Sequence, residues 1–212
     1  MPALAPPSPL QAPVRRRRVP LLLQVLGWTA ALFFPFLCLL LMEYMNYAGQ
    51  WEALAGLWEK HPGSVLFSCC VVWLLYLLAA LLLGRLWPAA LLLGAASVSC
   101  AFVNYTKAAL NGDNFYPQDL GMLSQAGQLT SFLSGQTPPL FWPGAALLLG
   151  LVLLLLAARL RLPLPPFARW SAAGLLVLAV HLSVCTPQAV EGLLGRFGMS
   201  SFDSALQSSN YS

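Results

Sequence analysis

Residues 15–42 read RRRRVPLLLQVLGWTAALFFPFLCLLLM: four consecutive arginines, then an apolar run over 19–42 that holds no Asp, Glu, Lys or Arg. About 20 such residues cover the hydrocarbon core of a bilayer as a helix, so this stretch is long enough to cross one. It does not read as a cleaved signal peptide, whose apolar region spans about 7 to 15 residues and ends at a small-residue cleavage site. Here Leu40, Leu41, Met42 and Glu43 run directly into a segment rich in Tyr and Trp, which is the pattern of a signal anchor.

The rest of the chain repeats the theme. Further apolar stretches cover about 64–83, 88–103, 140–158 and 170–185, and their interiors also lack Asp, Glu, Lys and Arg. The composition is 58% hydrophobic and only 8% charged, against about a quarter charged in an ordinary soluble domain. In lipid, backbone polar groups must be satisfied inside their own segment, which favours helices. The sequence therefore predicts an all-α membrane protein with five transmembrane helices and interfacial helices in the outside loops. Residues 1–18 form a basic leader whose Pro- and Ala-rich start predicts disorder, 19–186 the membrane domain, and 187–212 a connector outside. No nucleic-acid partner is implied, because four of the 11 basic residues are the single run Arg15, Arg16, Arg17 and Arg18.

That run also sets the orientation. Basic loops stay in the cytoplasm, so the N-terminus is expected inside and alternation does the rest. Arg85 in the second turn and Arg159, Arg161 and Arg169 in the fourth then fall inside as well, while all seven acidic residues fall outside. Trp51, Trp58, Trp87, Trp142 and Trp170 lie near the ends of spans, where amphipathic rings prefer the headgroup layer. The five cysteines lie in or beside apolar runs without metal-ligand spacing and read as small apolar side chains.

The outside segments 43–63 and 104–139 are longer than simple connections. In the first, Tyr44, Tyr47, Trp51, Leu54, Leu57 and Trp58 recur at helical spacing. This fits either a helix lying in the interface or an extension of the first span into the headgroups. The second has 36 residues and contains the turn signal Asn111-Gly112. After Pro117, the spacing of Leu120, Leu123 and Ala126 suits a short amphipathic surface helix; the alternative is a flexible linker. His181 is the only histidine inside a span, and a hydrogen bond to a neighbouring helix is its expected role, since no acidic partner for a proton relay lies at its depth. A small transporter is disfavoured for the same reason and for want of paired broken helices.

Val103-Asn104-Tyr105-Thr106-Lys107 after the third span, then Asn111-Gly112, then Tyr116-Pro117-Gln118-Asp119-Leu120 resembles the lipoteichoic acid synthase family. Its members read approximately Asn-Tyr-x-Lys, a short basic or polar run ending in Gly, and Pro-x-Asp-Leu at this place. The tail from Phe197-Gly198 through Phe202-Asp203 to Asn210-Tyr211 is similar to that family's connector. The motifs cover about 25 residues, and the segment between Lys107 and Pro117 is poorer in basic residues than the family pattern.

The resemblance implies a bacterial plasma-membrane anchor for an extracellular domain of the alkaline phosphatase and sulfatase superfamily. That domain transfers glycerol phosphate from phosphatidylglycerol with a threonine nucleophile and a divalent metal, Mn or Mg. No catalytic residue, metal site or cofactor is expected within this chain, because the 27 residues beyond the fifth span hold too few acidic and histidine side chains. Asn104, Tyr105, Lys107, Pro117 and Asp119 are the candidate site residues. Lys107 is expected to contact an anionic headgroup, and Asp119 to cap the surface helix or dock the catalytic domain; ordinary solvated loop charges are the alternative. The implied partners are membrane lipids, phosphatidylglycerol among them, and the catalytic domain or a partner protein. A self-standing membrane partner or scaffold is the alternative function. The tripeptides Asn104-Tyr105-Thr106 and Asn210-Tyr211-Ser212 match a glycosylation pattern and are read as coincidence.

Overall fold

The computed structural model describes residues 20–111, 138–185 and 187–197. Among these the chain is helical and contains no strand. The arginine run 15–18 lies outside the described residues, as do Pro117, Asp119 and the expected surface helix at 118–126.

The first helix, α1 (Leu21–Asn46), carries the apolar run and continues past Met42 for one turn. That turn holds because Tyr44 and Met45 are buried against the bundle. The chain then reverses at Ala48 (φ 50°) and Gly49 (φ 79°), with the Gly49 N–H donating to the Tyr44 carbonyl at 2.9 Å. Such left-handed residues satisfy carbonyls left open at a helix end. A separate amphipathic helix, α2 (Trp51–Lys60), follows; it buries Leu54 and sets the Trp51 ring 5.0 Å from that of Tyr44. Each reading of 43–63 thus describes a different part of it: four residues extend α1, and ten form a helix of their own.

Proline at the first helical position has a preset φ and lacks only an N–H that would be unpaired anyway. It starts α3 (Pro62–Leu83), which Gly84 ends at φ 69°. Next come α4 (Leu86–Asn111), α5 (Phe141–Ala158), α6 (Pro166–Cys185) and α7 (Pro187–Arg196). Four of these (α1, α3, α4 and α5) are long and apolar enough to cross a membrane, and α6 contains a shorter apolar stretch, Pro166–Leu182. The chain is a multi-pass α-helical membrane protein.

Three boundaries differ from the sequence reading. The helix α4 runs eight residues past the expected edge at Val103, because Ala101 and Thr106 stay packed inside the bundle and Ala108 and Ala109 favour helix. Residues Asn104, Tyr105 and Lys107 are therefore helical, not part of a loop. Starting at Pro166, α6 takes Arg169 into its first turn. Where a connector was expected, 187–196 is the helix α7.

The bundle is organised around α1, which packs on α3, α4 and α5, while α6 packs on α3. Phe34, Cys38, Leu41, Tyr76, Ala89, Phe141 and Leu155 make the contiguous core. Lipid tails are as apolar as these side chains, so helix association depends on close packing and small residues. At Gly27 of α1 an added Cβ would lie 2.7 Å from the Ala158 Cβ of α5. By contrast, α6 turns Phe167 (84% exposed), Leu175 and Leu182 outward, as suits a lipid-facing surface.

Successive helices run up and down, so the connections gather at two ends. At one lie Glu43, α2 with Glu52 and Glu59, and the last turn of α4. At the other lie Gly84-Arg85, Arg159 to Arg161 and the start of α6, joined by a hydrogen bond from the Leu162 N–H to the Gly84 carbonyl (3.4 Å). These are termed the glutamate end and the arginine end.

Candidate functional site at the glutamate end

The extension of α4 brings its polar last turns alongside the end of α1. The Asn104 Nδ2 donates to Asn46 Oδ1 at 2.6 Å, and Asn46 Nδ2 in turn donates to Glu43 Oε2 at 3.4 Å. Residues 58 positions apart are thereby joined in one relay of amides ending on a carboxylate. Within α1, Glu43 and Asn46 sit three residues apart and so share a face.

Around this relay is an open cleft of about 570 Å³, lined by Met42, Glu43, Asn46 and Tyr47 from α1 and by Cys100, Ala101 and Asn104 from α4. Its walls mix apolar and polar groups, which suits a ligand with a hydrocarbon part and a hydroxylated head. Nearby, Pro138 brings the chain back over the α1 turn, where a Cβ on Gly49 would lie 2.9 Å from the Pro138 Cβ. Lys107 is half-buried and follows Cys100 by seven residues, or two helical turns, which places it on the same side of α4 beyond the cleft. Tyr105 packs against the core, and the Thr106 Oγ1 is buried with no hydrogen-bond partner among the described residues.

Of the candidate residues, the structure thus gathers Asn104 into the cleft and sets Tyr105 and Lys107 on the same two turns of α4. Pro117 and Asp119 lie outside the described residues. Sequence reasoning missed Glu43 and Asn46 as partners of Asn104. Their spacing on α1 was visible, but the tertiary pairing with α4 was not. His181 lies exposed on α6, and Cys185 Sγ is 3.6–3.7 Å from its ring nitrogens, so its neighbour is on its own helix rather than another. Among the described residues no three His, Cys, Asp or Glu side chains converge as a metal site.

Compared with protein families, curated proteins and solved structures, the chain matches none.

Proposed function

We propose that the chain is the membrane-anchoring and lipid-presenting domain of a lipoteichoic acid synthase-like phosphoglycerol transferase in a bacterial plasma membrane. Its N-terminus is cytoplasmic and its C-terminus extracellular. The observation that supports the reading is the Asn104–Asn46–Glu43 relay, which joins the Asn-Tyr-x-Lys element to the open cleft between the ends of α1 and α4. A phosphatidylglycerol head offers two hydroxyl donors and one phosphate anion. A carboxylate has room for several donors, so Glu43 and the two amides suit the glycerol hydroxyls, and Lys107 suits the phosphate. In this role the anchor binds and orients the lipid.

Orientation rests on charge: Arg85, Arg159, Arg161 and Arg169 share one end, and the opposite end carries Glu43, Glu52 and Glu59. The test is the gene beyond codon 212 together with the mass of the native product by immunoblot. The proposal expects an open frame encoding a threonine with Asp, Glu and His ligands, and a product well above 22.9 kDa. A stop after Ser212 with a product at that mass would end the transferase reading and leave a self-standing membrane partner.

A further inference from the structure

At the arginine end, the α3–α4 and α5–α6 connections are pinned together by backbone contacts rather than left as free loops. The left-handed Gly84 (φ 69°) closes α3, and its N–H donates to the Ala80 carbonyl at 2.8 Å. Because it has no side chain, the Arg169 guanidinium lies directly on it; a Cβ there would overlap Arg169 Nη1. The Gly84 carbonyl accepts from Leu162, and beside it Arg85 faces Arg161 across an isolated antiparallel bridge. Arg159, itself left-handed at φ 52°, ends α5. Arg85, Arg159 and Arg161 then line one cleft of about 250 Å³ whose remaining walls are Trp87, Leu156 and Leu160.

Like charges directly opposite on paired strands repel. Membrane orientation requires positive charge in these loops, but it does not require three arginines to converge on one cleft. The described carboxylates do not relieve them: Glu43, Glu52 and Glu59 are at the other end, and Glu191 lies beyond α6. In addition, the Arg169 Nε is buried with no hydrogen-bond partner among the described residues. Three exposed guanidinium groups around one concave surface form a ready site for an anion.

We propose that this cleft binds the phosphate of an anionic phospholipid, with Arg85, Arg159 and Arg161 as its ligands. Arginine forks match phosphate oxygens in pairs, which lysine cannot do. The cleft lies where α4 and α5 reach the headgroup layer. Trp87 is an interfacial ring there, and Leu156 and Leu160 give the glycerol and upper acyl carbons an apolar wall. A soluble phosphate would have no use for that wall. The inference rests on the membrane fold alone and stands whether or not the chain anchors a transferase.

The test is native mass spectrometry of the full chain released from nanodiscs of phosphatidate, which lacks the glycerol head proposed for the other cleft, mixed with phosphatidylcholine. The wild type should retain one anionic lipid in preference to the zwitterionic one. The triple variant R85Q/R159Q/R161Q should weaken that retention about a hundredfold, since each headgroup-level arginine is worth about fivefold. The triple lysine variant, which keeps the charge and the orientation, should also lose retention, though less. R196Q, which removes one exposed charge at the opposite end and touches neither cleft, should leave it unchanged. Equal retention by the lysine variant would reduce the site to diffuse charge and overturn the proposal. Equal loss with R196Q would mean that net charge alone sets retention, with the same consequence. Displacement of the lipid by millimolar inorganic phosphate would assign the cleft to a soluble anion and overturn the lipid.

Discussion

Asn104 and Asn46 make the hydrogen bond on which the glutamate-end site turns, and its energy can be isolated. Interhelical polar pairs in membrane proteins contribute on average about 0.6 kcal/mol and at most about 1.7 kcal/mol. The 2.6 Å Asn104–Asn46 bond should fall in the upper part of that range. A double-mutant cycle of N46A and N104A, read by thermal unfolding in detergent, should show coupling; additive single effects would mean that the bond contributes nothing. Packing makes a second prediction. Gly27→Ala places a Cβ 2.7 Å from that of Ala158, and overpacking of this kind costs about 1–3 kcal/mol. Unfolding temperature should fall, and Ala158→Gly should restore part of it. At this scale the sequence was only partly legible. Asn104 stood out through its motif, but nothing local marks Asn46 or Glu43 as its partners, since 58 residues separate the two amides.

At the scale of elements, hydrophobic runs located every apolar helix, because a membrane span is defined by composition and length more than by tertiary context. Ends were harder. The polar tail of α4, Asn104 to Asn111, reads as loop by hydropathy, yet it stays helical where Thr106 is buried and Ala108 and Ala109 favour helix. For α6 the apolar run was read from Trp170, whereas Pro166 starts the helix four residues earlier. The arrangement of the ends leads to a topology prediction. In a cysteine-free background, a membrane-impermeant maleimide applied to intact cells should label Arg196→Cys on α7. It should label Pro163→Cys at the arginine end only after the cells are opened. The reverse pattern would invert the proposed orientation.

For the whole molecule, α1 is the hub: the helix whose apolar run announces the fold also supplies half of the glutamate-end cleft. In the proposed function the bundle of α1, α3, α4 and α5 would couple anchoring to lipid presentation, while α6 packs chiefly on α3 and turns large apolar side chains outward. An open cleft at the glutamate end and an arginine cleft at the other differ in chemistry, and the two proposals assign each a different headgroup contact. The central claim is that the glutamate-end cleft holds a phosphatidylglycerol head, and Cys100 in its wall offers a native probe. The deciding measurement is the rate of maleimide modification of Cys100 in nanodiscs, with Cys38, Cys69, Cys70 and Cys185 replaced by alanine. The account predicts slower modification in phosphatidylglycerol than in phosphatidylcholine, and loss of that protection in Asn104→Ala. Equal rates in the two lipids would contradict it.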